Sequence, residues 1–321
     1  MDSIELMTNR ANPGIDPIFH IWEWQIPIYL FLGGLVAGIM IIASAQELKF
    51  AEKWEPRLSR IIPILAMVLL SLGIFSLYLD LEIKGLKLNV IRLYMTFRPT
   101  SPISWGSWIL ILAYPSLALW FLASVSPEGV NRFVAKISFL RFLVPVRDWA
   151  SGIKGKILVA NIIIGTALGI YTGIFLSGMV ARPVWHSGIL GPLFLTSGIS
   201  AGAALLTFFK VNHDLSRAFI KWDVVALIAE LGFLALFLLD NMTGTALHKA
   251  SAGLFLSGPY TGAFFGIVVL AGILAPLGME WADLTKRAKA PIIVPMLVLI
   301  GSLALRFIIV SAGQALGYNL Y

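Results

Sequence analysis

The run His20–Gly38, HIWEWQIPIYLFLGGLVAG, stays apolar as far as Ala45 and decides how this chain folds. A helix needs about 20 apolar residues to cross the hydrocarbon of a bilayer, and this run supplies them. Its opening turns are unusual, because an imidazole, a carboxylate and two indoles crowd together there. Trp22 and Trp24 suit a membrane–water interface, where an amphipathic ring sits well. His20 and Glu23 contribute nothing to insertion, so function is sought among them.

The rest of the chain repeats the pattern. Of 321 residues, 58% are hydrophobic and 13% charged, about half the charge of a typical soluble domain. Apolar runs fall at about 21–46, 60–79, 104–125, 157–180, 188–209, 222–240, 254–277 and 291–313. The expected fold is therefore an all-α membrane protein of eight transmembrane helices. The polar segment Met1–Phe19 has no basic stretch ahead of a short apolar core, which argues against a cleaved signal peptide.

Charge sets the orientation. Sixteen of the 24 Lys and Arg residues lie in the loops after the first, third, fifth and seventh runs. Basic loops stay in the cytoplasm, so both termini, and with them His20, are expected outside it. The net charge of +7 then reflects loop topology, and nucleic acid is not expected as a partner.

Two connections are long. Residues 80–103 lie on the outer side, and residues 126–156 form a cytoplasmic amphipathic linker. That linker sets Phe133, Ile137, Leu140 and Leu143 against Arg132, Lys136, Arg141 and Arg147, a pattern that suits a helix lying on anionic lipid. It falls midway and divides the chain into two four-helix bundles. Residues 1–125 hold the first three spans, 157–180 the fourth, and 181–321 the second bundle. A short internal echo supports the division. Pro17–His20 leads into Gly34-Leu-Val-Ala-Gly38, and Pro183–His186 leads into Gly198-Ile-Ser-Ala-Gly202. A parallel repeat of this kind is related by an axis along the membrane normal. Small residues at Gly34/Gly38, Gly165/Gly169/Gly173, Gly198/Gly202 and Gly258/Gly262/Gly266 are expected to seat helix on helix.

Chemistry narrows quickly. The chain has no cysteine, which excludes disulfides, thiolate metal sites and cysteine-ligated iron–sulfur clusters. Its four histidines, His20, His186, His213 and His248, all fall at span ends or in loops. A haem held between two transmembrane helices is not expected. Ionisable groups in or near spans are costly and point to function. Glu230 in the sixth span, with Asp223 and Glu47 toward the cytoplasm, forms a possible proton path. Arg306 is expected to pair with Asp240 or to reach outward. Tyr171, in the fourth span, lies toward the outer end. His20 and Tyr171 are thus two donors from different helices that can meet on one quinone oxygen, beside Trp22 and Glu23. Imidazole suits that work because it takes and gives protons near neutrality.

Several stretches resemble the polysulfide reductase membrane subunit family, the NrfD/PsrC group. They are Tyr29–Gly38; Asp80-Leu81 with Arg98-Pro-Thr-Ser-Pro-Ile-Ser-Trp-Gly-Ser-Trp108; Tyr171-Thr-Gly-Ile-Phe-Leu-Ser177; and Arg182-Pro-Val-Trp185 with Phe194–Ala203. They cover residues 20–205 in family order, and the Ser-Pro-Ile-Ser-Trp-Gly-Ser-Trp stretch is the most specific. The last third matches only by its apolar pattern and helix count.

The resemblance implies two four-helix bundles without haem, in the cytoplasmic membrane of a prokaryote. It implies a site for menaquinone or ubiquinone at the outer side. Electrons would pass between that quinone and an extracytoplasmic ferredoxin-like iron–sulfur subunit, attached to a molybdopterin or other catalytic subunit. The family's quinone-contacting His falls on His20 and its span-four Tyr on Tyr171. Asp80 would take the released proton or hold the outer loop. The family's Asn just before that His has no counterpart, since position 17 is Pro, and His186 stands where Asn is commoner. Two other functions compete: a secondary transporter or proton channel, and a passive membrane anchor of a reductase.

Overall fold

The computed structural model describes residues 22–80, 97–136, 141–288 and 290–316. Among them are eight helices long and apolar enough to cross a membrane: Gln25–Lys49, Leu58–Asp80, Pro102–Ala123, Lys154–Ser177, Leu190–Thr207, His213–Thr243, Thr261–Leu284 and Ile293–Ala315. The described residues contain no strand. With no water in hydrocarbon to take backbone groups, helices are how such a chain satisfies them.

The first span packs on the second and fourth, and the third closes that ring. The fifth packs on the sixth, the sixth on the seventh, and the eighth returns to the fifth. The contacts thus trace two rings, spans one to four and spans five to eight. The first span joins them, since it packs on the fifth as extensively as on its own neighbours and also meets the eighth. In its most apolar window 83% of residues are buried, against 33% in the second span.

The joint between the bundles is made of glycine. A Cβ on Gly38 would lie 2.0 Å from the Gly198 carbonyl oxygen, and one on Gly202 would lie 2.5 Å from the Gly38 carbonyl carbon. The two halves of the sequence echo are therefore the two helix faces that touch. Lipid tails are as apolar as leucine, so helices associate through close packing of this kind. Gly173 repeats the device, its absent Cβ 2.2 Å from the Leu190 oxygen. The expectation fails in the seventh span, where Gly262 and Gly266 meet nothing within 4 Å. Gly272 makes the contact instead, against Gly301 of the eighth span.

Three boundaries depart from the apolar runs. The sixth span starts at His213, because Asn212 caps it by accepting the Leu215 amide at 2.9 Å. Hydropathy registers only the lipid-crossing part and misses polar opening turns. The run at 254–277 is split by the Ser257–Tyr260 turn with Gly258 and Pro259. Ala246–Leu256 is a separate helix capped by Thr245, and the span proper carries a π-helical stretch, Phe264–Leu274. The linker forms two short helices, Pro127–Lys136 and Leu143–Gly152. Arg147 ties the second to the third span by donating to the Val125 oxygen at 2.9 Å. Phe142 and Trp149 stay exposed, as an interfacial helix requires. Ile137 and Leu140 lie outside the described residues.

Spans one and five start at the same end, where Trp22 meets Trp185. The end of the eighth span is there too, since Gln314 binds Trp22. The opposite, basic end joins the two halves through Lys53 and Asp214, 2.7 Å apart and exposed. Such a pair contributes little stability in water, but it fixes which loops are neighbours.

Candidate functional site

At the aromatic end, Trp22 is held from three directions. Its amide donates to Gln314 Oε1 at 3.0 Å, and its carbonyl accepts from Gln314 Nε2 at 2.8 Å. Its ring stacks on Trp185 at 5.0 Å and on Phe175 at 5.7 Å, both nearly parallel. Trp185 is itself pinned, donating to the Ile309 oxygen at 2.8 Å. Arg182 donates to the Gln314 oxygen at 3.2 Å; partial burial lowers its pKa from the ordinary guanidinium value. Side chains from spans one, four and eight and from the fifth-span entry therefore close one aromatic layer.

That layer leads to Tyr171. Phe175 lies one helical turn beyond it, and the two rings are 6.2 Å apart. Tyr171 is buried, and its phenol tip fills the room left by Gly106, where a Cβ would be 1.9 Å from Tyr171 Cζ. Gly106 is the glycine of the Ser-Trp-Gly-Ser-Trp stretch, so the most specific motif in the chain exists partly to seat a tyrosine from another helix. Its neighbours shape the loop ahead of the third span. Ser104 Oγ accepts the Arg98 amide at 2.9 Å, and Trp105 Nε1 donates to the Pro99 oxygen at 2.7 Å. Trp108 points its Nε1 into the interior with no partner among the described residues.

Beside Tyr171 a groove of about 490 Å³ runs between spans three and four, lined by Trp105, Ile109, Ile163, Thr166, Ile170 and Tyr171. Its wall is apolar but for a phenol and a hydroxyl.

Of the residues singled out in the sequence, the structure brings Trp22 and Tyr171 together through Phe175. His20 lies outside the described residues, two positions before Trp22. Glu23 is exposed, and Asp80 closes the second span half-buried. Glu47 is committed elsewhere: its carboxylate accepts from Ser59 at 2.7 Å and from Trp120 at 2.7 Å, and it pairs with Lys154. It ties the four helices of the first bundle together at the basic end.

The expected pairing of Arg306 is corrected. Asp240 takes the Ser187 hydroxyl at 2.6 Å, and Arg306 is fully buried without reaching outward. It donates to Ser197, to Ser302 at 2.8 Å and to the Phe194 oxygen at 3.0 Å. Gly34 leaves it room, a Cβ there falling 3.1 Å from Nη2. Glu230, on the sixth span, shares Ser197 with it. Two turns down that span, Asp223 accepts from Ser200 at 2.5 Å and has Glu280 as an interacting neighbour. Glu280 was missed by sequence reading because Trp281 and Asp283 beside it make that stretch look like an ordinary solvated rim.

Two helical rings sharing a central span, with an aromatic layer at one end and an apolar groove beside it, define a multi-pass membrane subunit. The chain belongs to the NrfD family: the family model described as polysulphide reductase, NrfD, matches residues 14–316. It is 30% identical to a protein NrfD homolog of Haemophilus influenzae over 318 residues, covering 92% of this chain and 94% of the relative. It is 25% identical to a polysulfide reductase chain of Wolinella succinogenes over 312 residues, covering 92% and 94%. A tetrathionate reductase subunit of Salmonella typhimurium is 24% identical over 228 residues, covering 70% and 60%. The chain is thus a multi-pass protein of a prokaryotic inner membrane and a membrane subunit of the reductase-complex type. Among the described residues no group of three or more His, Cys, Asp or Glu is placed to hold a metal ion.

Proposed function

We propose that this chain is the quinol-interacting subunit of a respiratory oxidoreductase, exchanging electrons between a quinone and an iron–sulfur partner docked over its aromatic end. One observation carries the reading: Trp22, Phe175 and Tyr171 form a continuous run of rings that leads from the start of the first span, two residues after His20, to a buried phenol.

The chemistry needs little more. A quinone head group is flat and apolar, with two carbonyl oxygens that must be held and protonated. A phenol can donate a hydrogen bond to a carbonyl oxygen, and an imidazole can donate to an oxygen or take its proton near neutral pH. Tyr171 orients one end of the head group, His20 exchanges a proton at the other, and the Trp22 and Phe175 faces cover the ring. Glu23 and Asp80, at the same rim, take the proton on to water. The groove of Trp105, Ile109 and Ile170 receives the polyprenyl tail, being apolar and open to lipid.

The electrons leave the chain directly. Without cysteine it holds no cysteine-ligated cluster, so the partner's centre must lie close to the quinone, and the aromatic end must face that partner outside the cytoplasm. The relatives named as components of polysulfide and tetrathionate reductases support further catalytic subunits in the assembly.

The test is His20→Ala and Tyr171→Phe in the assembled complex. Each should lower quinol-linked turnover by about a hundredfold, the scale of lost general acid–base and positioning groups, while the subunits still co-purify. Full turnover in both variants would make the chain a passive anchor.

A further inference from the structure

The second bundle contains a set of acids that the quinone reading does not use. Glu280 sits at the basic end of the seventh span and lines a cavity of about 400 Å³, with Lys210, Ser216, Asp283, Pro291 and Ile292. Lys210 and Ile292 are exposed, so the cavity communicates with water. Glu280 itself is 2% exposed, and behind it Asp223 is fully buried. The two carboxyl groups are each other's interacting neighbours. Asp223 Oδ1 takes the Ser200 hydroxyl, whereas Asp223 Oδ2 and Glu280 Oε2 are buried and receive no hydrogen bond from any ordinary donor group among the described residues. No ion pair among the described residues includes either acid.

Two carboxyl groups in contact cannot both be ionised away from water, and such pairs share a proton. The groups around them do not relieve the charge. Asp283 and Glu230 are acidic, Ser200 is neutral, and Arg306 is spent on Ser197, Ser302 and Phe194. Lys210 lies at the cavity wall. Above the pair the polar row continues through Ser200 and Ser197 to Glu230 and Arg306, in the interior of the bundle.

We propose that Glu280 and Asp223 hold one proton between them and load it from the basic-end cavity, giving the second bundle a proton-entry site. A proton from cavity water adds to the Glu280 carboxyl group in the cavity wall as the shared proton moves to Asp223. Release of one proton toward Ser200 and Glu230 restores the singly protonated pair, and no electron moves. This site does not depend on the quinone reading, since a chain that binds no quinone can still have it.

Infrared spectroscopy of the purified full-length chain at about pH 8, well above ordinary carboxyl pKa values, tests the proposal. The wild type should show a protonated-carboxyl band that shifts promptly on mixing with D2O. Glu280→Gln should remove that D2O-sensitive component, and Glu47→Gln should keep it. Ile292→Trp, which narrows the cavity mouth and leaves both acids in place, should slow the shift severalfold. An absent band, a band unchanged in Glu280→Gln, or a shift rate unchanged in Ile292→Trp would overturn the proposal.

Discussion

Gly106 on the third span and the phenol of Tyr171 on the fourth occupy one space: a Cβ at position 106 would fall 1.9 Å from Tyr171 Cζ and 2.2 Å from its hydroxyl. A motif in one helix thus sets the position of a side chain in the next. Gly106→Ala should push the phenol aside, while a single methyl leaves the helix and its insertion intact. Because misplacing a reacting group by about 1 Å costs up to a hundredfold, quinol turnover of the complex should fall by tenfold or more with normal assembly. Turnover equal to wild type would show that the phenol position is not used.

Gly38 and Gly198 hold the bundles together by direct backbone contact. Gly38→Leu must separate the first and fifth spans, and overpacking of this kind costs about 1–3 kcal/mol or more. The melting temperature in detergent should drop clearly. Gly266→Ala, where a Cβ meets nothing within 4 Å, should leave it unchanged. The contrast between the two variants is the check.

Arg306 and Glu230 meet on Ser197 inside the second bundle. Arg306→Met leaves the buried Glu230 without its nearby cation and strips Ser197, Ser302 and the Phe194 oxygen of their donor; each buried group left unpaired costs about 1–3 kcal/mol. Adding Glu230→Gln should recover part of that loss. Thermal unfolding of the two single variants and the double variant measures the coupling, and strictly additive effects would argue against it.

Glu47 is a knot in the first bundle, bound by Ser59, Trp120 and Lys154. Glu47→Ala should destabilise the chain by about 3 kcal/mol, since it strands the Trp120 donor and the Lys154 charge. Quinol turnover per assembled complex should hold.

The eight spans were legible because hydrocarbon thickness writes a length rule into the sequence. The Gly34–Gly38 and Gly198–Gly202 echo was legible as two contact faces, though nothing in it says that they contact each other. The sixth-span start at His213 was not, because a cap such as Asn212 acts beyond the apolar run. From the sequence Arg306 is expected to pair with Asp240 or to reach outward, yet Ser197, Ser302 and a backbone oxygen, invisible to charge counting, hold it. Tyr171 stood out in the sequence, whereas its dependence on Gly106 needs the crossing of two helices. Glu280 was hidden by its polar neighbours, although its burial sets it apart from them.

The central claim is that a quinone rests at the aromatic end, against Trp22 and Tyr171. Photolabelling of the intact complex with a photoreactive quinone analogue, followed by peptide mapping, addresses it directly. The account predicts adducts within residues 20–24, 105–109 and 170–175 that excess quinone suppresses. Adducts confined to the basic end, around Lys53 and Lys210, would contradict it.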